Sequence, residues 1–321
     1  EERKIIGTAY KQQSREAAIK IGLDFFGVKM RKMVEDVEEI IGNRKLATGK
    51  KELKDNNSQL PMPNCILLHC WRGCMRSAAV AWLLDLYGFK IYTLAGGYKA
   101  FRNWTLKQFE KEYKFKILGG YTGSGKTIVL KELQQLGQPI IDLEGLANHK
   151  GSAFGALGEN PQPTQEMFEN LHAKKLDSKI SPKGGDLEEP WLEDESQRIG
   201  KLIIPQSIWN TMRSSPIFFL EIPFEERLNH IVKLYGTHSK EQLINAIIRI
   251  QKRLGGLETK TAINFLLENN VKECFAILLK YYDKLYKKGL QNRENFETLL
   301  NIIPCESVDI KIHTVKLHLE Q

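Results

Sequence analysis

The feature that most constrains the fold is a glycine-rich loop between an apolar segment and a segment with helical character. Residues 119–127 read Gly-Gly-Tyr-Thr-Gly-Ser-Gly-Lys-Thr, and the apolar run 115–118 precedes them. This is the strand–loop–helix context in which phosphate-binding loops (P-loops) occur. We therefore predict an α/β domain with a mostly parallel sheet over residues 111–321.

The same loop predicts a phosphate site. Backbone N–H groups of such a loop can surround a phosphate, the Lys126 ammonium adds a charge, and the Thr127 hydroxyl can ligate Mg²⁺ if a metal is present. The motif specifies phosphate binding rather than ATP hydrolysis. The predicted phosphate-binding residues are Gly120, Gly123, Ser124, Gly125, Lys126 and Thr127.

Two further positions are candidates to support this site. Asp142 is the last residue of the predicted buried strand 139–142. At this position it is either an acid near a metal or the cap of the next helix, and the pattern favours neither. Residues 142–155 are rich in glycine and predict a loop across the phosphate site. Arg198 closes the acidic run 193–198, which is read as a solvated turn, the usual meaning of such a run.

The rest of this region alternates strands and helices and then becomes largely helical. Strands are predicted at 202–204 and 217–220, and helices dominate after Phe224. The helix over 271–287 mixes tyrosines with lysines. These side chains either grip RNA by stacking and phosphate contacts or place tyrosines in the core and lysines in solvent; the second is favoured for any one residue.

A second strand–loop–helix pattern lies earlier in the chain. Residues 66–68 form an apolar strand, Cys70 follows it, and Arg76-Ser77 comes after five intervening residues. Loop N–H groups, a helix N-terminus, Arg72 and Arg76 would stabilise a thiolate and lower the pKa of Cys70. Such a thiolate can attack phosphorus, as in cysteine phosphatases, or carry an extra sulfur or selenium atom.

Composition bounds the remaining possibilities. A chain of 321 residues holds two domains, and no apolar run reaches the length of a membrane span. Five cysteines without metal-site spacing indicate no metal centre and a reducing cytoplasm. The net charge of +8 favours a polyanionic partner, nucleic acid first. Helices are predicted over 14–26 and 28–41, with a stop at Gly42.

Together these motifs resemble the bacterial tRNA 2-selenouridine synthases, in which a rhodanese-like domain is fused to a P-loop domain. The resemblance covers nearly the whole chain and implies a rhodanese-like domain over 1–110 and a P-loop domain with a helical C-terminal part over 111–321. The matching segments are 7–13, 70–77, 94–98, the P-loop, 142–155, 195–200, 253–256 and 281–283.

The resemblance implies a transferase that acts on the wobble uridine of certain tRNAs, reached in the anticodon loop. Selenium from selenophosphate replaces the sulfur of 2-thiouridine, after an S-geranyl intermediate has been made from geranyl diphosphate. Cys70 would carry a selanyl group, Arg72 and Arg76 would hold the anionic donor, and the P-loop would hold diphosphate. No ATP turnover or further cofactor is implied.

Two departures from the family pattern stand out. The strand and the Asp-Val-Arg segment that open the rhodanese-like domain are absent, so we expect an incomplete domain. Position 74 is Cys where the family has Gly; it either resolves a Cys70 persulfide or is a tolerated small residue, and the spacing favours the second. The alternative functions are a cysteine phosphatase or sulfurtransferase fused to a phosphate-binding module, and a P-loop kinase with a vestigial rhodanese domain.

Overall fold

The computed structural model describes residues 1–47, 65–180 and 189–308 and divides the chain into two compact units, Glu1–Trp104 and Thr105–Gln321. The sequence also predicts loops over 43–64 and 182–190, and the structure describes only residues 43–47 of the first and 189–190 of the second. Among the described helices, none is both long enough and apolar enough to cross a membrane.

The first unit places a small parallel sheet among helices. Its elements, in chain order, are α1 (Glu2–Gln12), α2 (Arg15–Ala47), β1 (Cys65–Leu68), α3 (Met75–Leu86), β2 (Lys90–Thr93) and α4 (Gly97–Gln108). Strands β1 and β2 pair in parallel, with Ile66 opposite Ile91. That arrangement is α/β, and the rhodanese-like character of this unit stays a prediction.

Helix α2 corrects the two separate helices expected over 14–26 and 28–41. It runs unbroken through Gly27 and Gly42. A glycine inside a helix costs only about 1 kcal/mol relative to alanine. The apolar face offsets that cost because Met30, Met33 and Val34 pack in one core cluster with Leu83 and Leu84 of α3. These three apolar side chains of α2 therefore serve core packing.

The second unit is built on a five-stranded parallel sheet, which confirms the predicted fold class. The strand order is β4-β5-β3-β8-β9, and every pairing in it is parallel. The first elements are β3 (Lys116–Gly120), α5 (Lys126–Gln135), β4 (Ile140–Ile141), α6 (Leu143–Ala147), α7 (Gln165–Ile180), β5 (Trp191–Glu193), β6 (Arg198–Ile199), β7 (Leu202–Ile203), α8 (Gln206–Ser214) and β8 (Ile217–Glu221).

The C-terminal part is helical, as predicted, and ends in a strand that the sequence did not indicate. It comprises α9 (Phe224–Tyr235), α10 (Lys240–Leu254), α11 (Gly256–Leu267), α12 (Val271–Gln291), α13 (Phe296–Leu299) and β9 (Leu300–Pro304). Strand β9 extends the sheet beside β8. The strand predicted over 202–204 is present as β7, but it pairs with β6 in a separate two-stranded antiparallel sheet and does not join the parallel sheet.

The tyrosines of α12 face inward. Tyr281 and Tyr282 pack against the helical core, whereas Lys284 and Lys287 are exposed. The core-facing interpretation of this helix is therefore confirmed. Because β3 lies between β5 and β8, the loops that follow these three strands share one edge of the sheet, where the P-loop lies.

Candidate functional site

The Cys70 loop connects β1 to α3. The Cys70 sulfur accepts a hydrogen bond from the Cys74 N–H group at 3.3 Å. The Ser77 Oγ lies 3.3 Å from the same sulfur and 2.9 Å from the Cys74 carbonyl oxygen, so its single proton serves one of the two at a time. Both donors favour the thiolate, as expected for a reactive cysteine.

These hydrogen bonds lower the pKa of Cys70 to about 6, with the Ser77 hydroxyl as the largest cause and the Cys74 N–H group next. Arg72 contributes through its backbone N–H group. The side chains of Arg72 and Arg76 are exposed. Of the expected causes, the loop N–H groups therefore contribute, whereas the arginine charges do not, because an exposed charge is screened by water.

Two glycines hold the Cys70 loop in shape. Gly73 and Gly97 both adopt φ near +63°, which favours glycine. A Cβ atom on Gly73 would lie 2.6 Å from the Gly97 nitrogen. The Tyr98 N–H group donates to the Cys70 carbonyl oxygen at 2.9 Å. The 94–98 segment thus packs directly against the loop backbone.

The P-loop adopts the predicted conformation at the end of β3. Gly120, Gly123 and Gly125 all have positive φ values, which only glycine tolerates easily. The Lys126 ammonium donates to the Gly120 carbonyl oxygen at 2.9 Å. The buried Ser124 hydroxyl has no hydrogen-bond partner among the residues that the structure describes. All six predicted phosphate-binding residues thus lie in one strand-to-helix turn.

Asp142 and Arg198 stand away from this loop's chemistry. Asp142 caps α6 by accepting a hydrogen bond from the Gly145 N–H group at 2.6 Å. That contact confirms the capping interpretation, one of the two left open. Arg198 is exposed in β6. Neither residue lines the cavity beside the P-loop.

Three glutamates, rather than Asp142, provide the carboxylates beside Thr127 of the P-loop. The Thr127 hydroxyl donates to Glu144 at 2.9 Å. Glu144, Glu193 and Glu195 each present an oxygen within 4.8 Å of the others. Glu193 is fully buried, and within the described part of the chain neither of its carboxylate oxygens has a hydrogen-bond partner.

The solvated turn expected over 193–198 is therefore wrong at its start. Glu193 ends a buried strand whose register places it opposite Leu118, immediately before the P-loop. Burial first, and then the charges of Glu144 and Glu195, raises the pKa of Glu193 well above its usual range. Burial and the Glu144 charge likewise raise the pKa of Glu195. Carboxylates arranged in this way suit a divalent cation or a shared proton.

A cavity of about 680 Å³ opens beside the P-loop. Its polar lining includes the loop itself, Glu144, Glu195 and cationic side chains, among them Lys126, Lys150 and Arg253. Apolar side chains line the same cavity, and most of them come from α9 and α12. The apolar lining residues are Ile128, Phe154, Trp209, Ile231, Leu234, Phe275, Leu278, Leu279, Leu285 and Leu290.

A buried network that the sequence analysis missed ties α12 to the P-loop. The Tyr286 hydroxyl accepts from the Gly120 N–H group at 3.2 Å and donates to Asp194 at 2.6 Å. Arg227 forms two hydrogen bonds with Asp283, at 2.9 and 2.8 Å, and donates to the Thr122 carbonyl oxygen at 3.1 Å. Only the fold could reveal these pairs, because their partners are 56 to 166 residues apart.

Comparisons with known proteins agree with this architecture. Residues 113–300 match the family model described as the tRNA 2-selenouridine synthase AAA domain. A tRNA 2-selenouridine synthase of Sulfurovum sp. (strain NBC37-1) is 33% identical, and the alignment covers 89% of this chain and 80% of that protein. Its counterpart in Bdellovibrio bacteriovorus is 31% identical, with 91% and 82% covered.

A third relative with that description, from Marinobacter nauticus, is 31% identical and aligns over 92% of this chain and 82% of its own. No solved structure matches the chain significantly. The extent and identity of these alignments show that this chain belongs to the tRNA 2-selenouridine synthase family, a family of enzymes.

Proposed function

We propose that this enzyme converts 2-thiouridine at the wobble position of tRNA to 2-selenouridine through an S-geranyl intermediate. Family membership favours this function over the phosphatase, sulfurtransferase and kinase alternatives, and the two candidate sites supply groups that suit its two halves. The P-loop cavity would hold geranyl diphosphate for the first half. Cys70 would carry selenium derived from selenophosphate for the second.

The observation that carries the proposal is the lining of the P-loop cavity, which combines the phosphate-binding loop with many apolar side chains. A geranyl diphosphate has a compact polyanion at one end and a ten-carbon apolar chain at the other. The loop amides and Lys126 suit the diphosphate. Apolar lining residues such as Leu278 and Leu285 of α12 suit the chain. A cavity for a nucleoside triphosphate alone has no such need for so many apolar lining residues.

Mg²⁺ fits the cavity as a companion of the diphosphate. Hard divalent cations prefer carboxylate and hydroxyl oxygens. Glu144, Glu193, Glu195 and Thr127 would hold the ion, and no other described residue forms a hydrogen bond with either oxygen of Glu193. The bound ion would neutralise charge on the departing diphosphate. The protein groups orient the substrate, and Lys126 stabilises the leaving group.

Transfer of the geranyl group breaks the C1–O bond of geranyl diphosphate and forms a bond from C1 to the thiocarbonyl sulfur. The wobble base must be unstacked for this step, which a single-stranded anticodon loop allows at low cost. The basic character of the chain, with a net charge of +8, supports a tRNA partner. A tRNA substrate also agrees with the predicted cytoplasmic location.

The test is a stepwise reaction with 2-thiouridine tRNA. We expect S-geranyl-2-thiouridine when geranyl diphosphate and Mg²⁺ are added, and 2-selenouridine when selenophosphate follows. Digestion to nucleosides and mass spectrometry identify both products. Release of inorganic phosphate from ATP without any change in the tRNA would instead support the kinase alternative. The absence of both modified nucleosides would refute the proposal.

A further inference from the structure

The Cys70 loop contains a second thiol in contact with the first. The Cys70 and Cys74 sulfur atoms lie 3.9 Å apart, and both cysteines are free thiols. Cys74 is exposed, immediately before α3. A disulfide requires about 2.05 Å between sulfurs, so a closure of about 2 Å joins them. The spacing of four residues, which disfavoured a disulfide on sequence grounds, places the two sulfurs in contact here.

We propose that Cys74 is a second catalytic residue and that the Cys70–Cys74 pair cycles between a disulfide and a dithiol during selenium transfer. The inference rests on the proposed function and assigns a role that the proposed function leaves open. It identifies the group that accepts two electrons from selenide when the selanyl-cysteine forms, and the step that returns this group to its oxidised state.

The need for a second thiol follows from oxidation states. Selenium in selenophosphate is at the level of selenide. Selenium bonded to a cysteine sulfur is two electrons more oxidised. A lone Cys70 thiolate therefore cannot become a selanyl-cysteine with selenophosphate unless an oxidant accepts two electrons. A Cys70–Cys74 disulfide is such an oxidant and is held in the same loop.

Loading then balances. Water cleaves the P–Se bond of selenophosphate and gives phosphate and hydrogen selenide. The selenide attacks the Cys70 sulfur, the Se–S bond forms, the S–S bond breaks, and Cys74 leaves as a thiolate. Selenium loses two electrons, and the disulfide gains them.

Delivery to the base balances in the same way. The selanyl anion on Cys70 attacks C2 of the S-geranyl base, and geranylthiolate leaves. The base is then bonded through selenium to the Cys70 sulfur. The Cys74 thiolate attacks that sulfur, so the S–S bond forms, the Se–S bond breaks, and the 2-selenouridine tRNA is released. The disulfide is regenerated without an added oxidant in each turnover.

The geometry of the loop suits this exchange. Cys74 is near enough to reach the sulfur of Cys70, and its exposed side chain is not committed to the core. The resting dithiol enters the cycle after one oxidation by a low-molecular-weight disulfide such as glutathione disulfide, which leaves as two glutathione molecules.

The test compares Cys74→Ser with Cys65→Ser, a cysteine of β1 outside the loop. The whole protein is oxidised with glutathione disulfide, freed of small thiols, and given S-geranyl tRNA and selenophosphate. We expect wild type and Cys65→Ser to form many 2-selenouridines per enzyme. Cys74→Ser should lose at least about tenfold in selenation, while its geranylation of 2-thiouridine tRNA stays unchanged.

A second readout separates this inference from the proposed function. Oxidised wild type treated with hydrogen selenide alone should carry selenium on Cys70 and a free thiol at Cys74, as measured by peptide mass spectrometry without reduction. Selenium on Cys70 with no selenouridine in any reaction would refute the proposed function and leave the pair chemistry supported. Wild-type selenation rates in Cys74→Ser would overturn the inference.

Discussion

The two candidate sites use the same local architecture for opposite purposes. Each is a glycine-containing loop between a parallel strand and a helix, the Cys70 loop after β1 and the P-loop after β3. The Cys70 loop is open, with Arg72, Cys74 and Arg76 exposed around the sulfur. The P-loop lines a cavity and lies beside the buried carboxylate cluster and the network that contains Arg227 and Asp283.

The difference fits the roles proposed for the two loops. A cysteine that exchanges partners with selenide, a tRNA base and a second thiol must be reachable from several directions. A site that transfers a prenyl group benefits from a cavity that excludes water, because water competes for a reactive allylic carbon. The exposure of the Cys70 loop therefore suits a nucleophile that exchanges partners, and the cavity beside the P-loop suits a substrate pocket.

Replacing Cys70 should have the largest effect among the tests of the assignment of selenation to the Cys70 loop and geranylation to the P-loop. We expect Cys70→Ser to lower selenation by on the order of 10³-fold or more, since a hydroxyl cannot hold selenium in an exchangeable bond. Geranylation should remain at the wild-type rate because it belongs to the other loop. Nucleoside mass spectrometry of both steps measures this. Persistent selenation would exclude Cys70 as the carrier.

Replacing Lys126 should produce the opposite pattern. Loss of a charge-assisted contact to phosphate costs about 1.5–3 kcal/mol, which is about 10- to 150-fold in affinity for geranyl diphosphate. Lys126→Ala should therefore weaken binding measured by calorimetry and slow geranylation. Selenation of tRNA that already carries the S-geranyl group should be retained.

Lys284→Ala provides the matched control, because Lys284 is an exposed lysine of α12 outside the cavity lining. If both lysine variants bound geranyl diphosphate equally well, the phosphate site would have to lie elsewhere.

The carboxylate cluster predicts a dependence of stability on pH. Burial and neighbouring charges raise the folded-state pKa of Glu193 above its ordinary value of 4.5. The folded state therefore holds this proton more tightly than the unfolded state does. The resulting stabilisation is complete below pH 4.5 and is lost as the pH rises through the folded-state pKa.

In Glu193→Gln the melting temperature should accordingly fall less between pH 5 and pH 8 than in wild type. Mg²⁺ should raise the melting temperature of wild type more at pH 8 than at pH 5, because protons compete for the carboxylates, and should have little effect on the variant. Glu110→Gln, at an exposed position, is the control. Equal responses to Mg²⁺ in wild type and Glu193→Gln would exclude this cluster as the ion's site.

How much the sequence could predict follows the same division. Both loops were found because a contiguous motif determines its own backbone, as the positive φ values of Gly120 and Gly125 show. The glutamate cluster was missed because Glu193 reaches Glu144 only through the pairing of β4 with β5. Sequence spacing does not specify that strand order. The acidic character of residues 193–195 then resembles any solvated turn.

Strand β9 was missed for a related reason. Residues 300–304 read Leu-Asn-Ile-Ile-Pro, which is too short to separate from the surrounding helical segments by periodicity. Its pairing with β8 makes it a strand. The helix cap at Asp142 involves a residue only three positions away, so the sequence could predict it as one of two interpretations. Long-range neighbours, not local preferences, thus account for what the sequence left undetermined.

The smallest expected effect concerns the cause of the low Cys70 pKa. Ser77→Ala removes the largest contribution, the hydroxyl hydrogen bond at 3.3 Å, so the pKa of Cys70 should rise from about 6 toward the ordinary value of a thiol. The rate of alkylation by iodoacetamide as a function of pH reports this value. Arg76→Ala is the comparison, because the exposed guanidinium is screened by water and contributes through no hydrogen bond to the sulfur. Its alkylation midpoint should stay close to that of wild type. A larger shift of the alkylation midpoint in Arg76→Ala than in Ser77→Ala would mean that arginine charge, rather than hydrogen bonding, lowers the pKa of Cys70. Both loops would then act through cationic side chains, and they would differ only in how deeply they are buried.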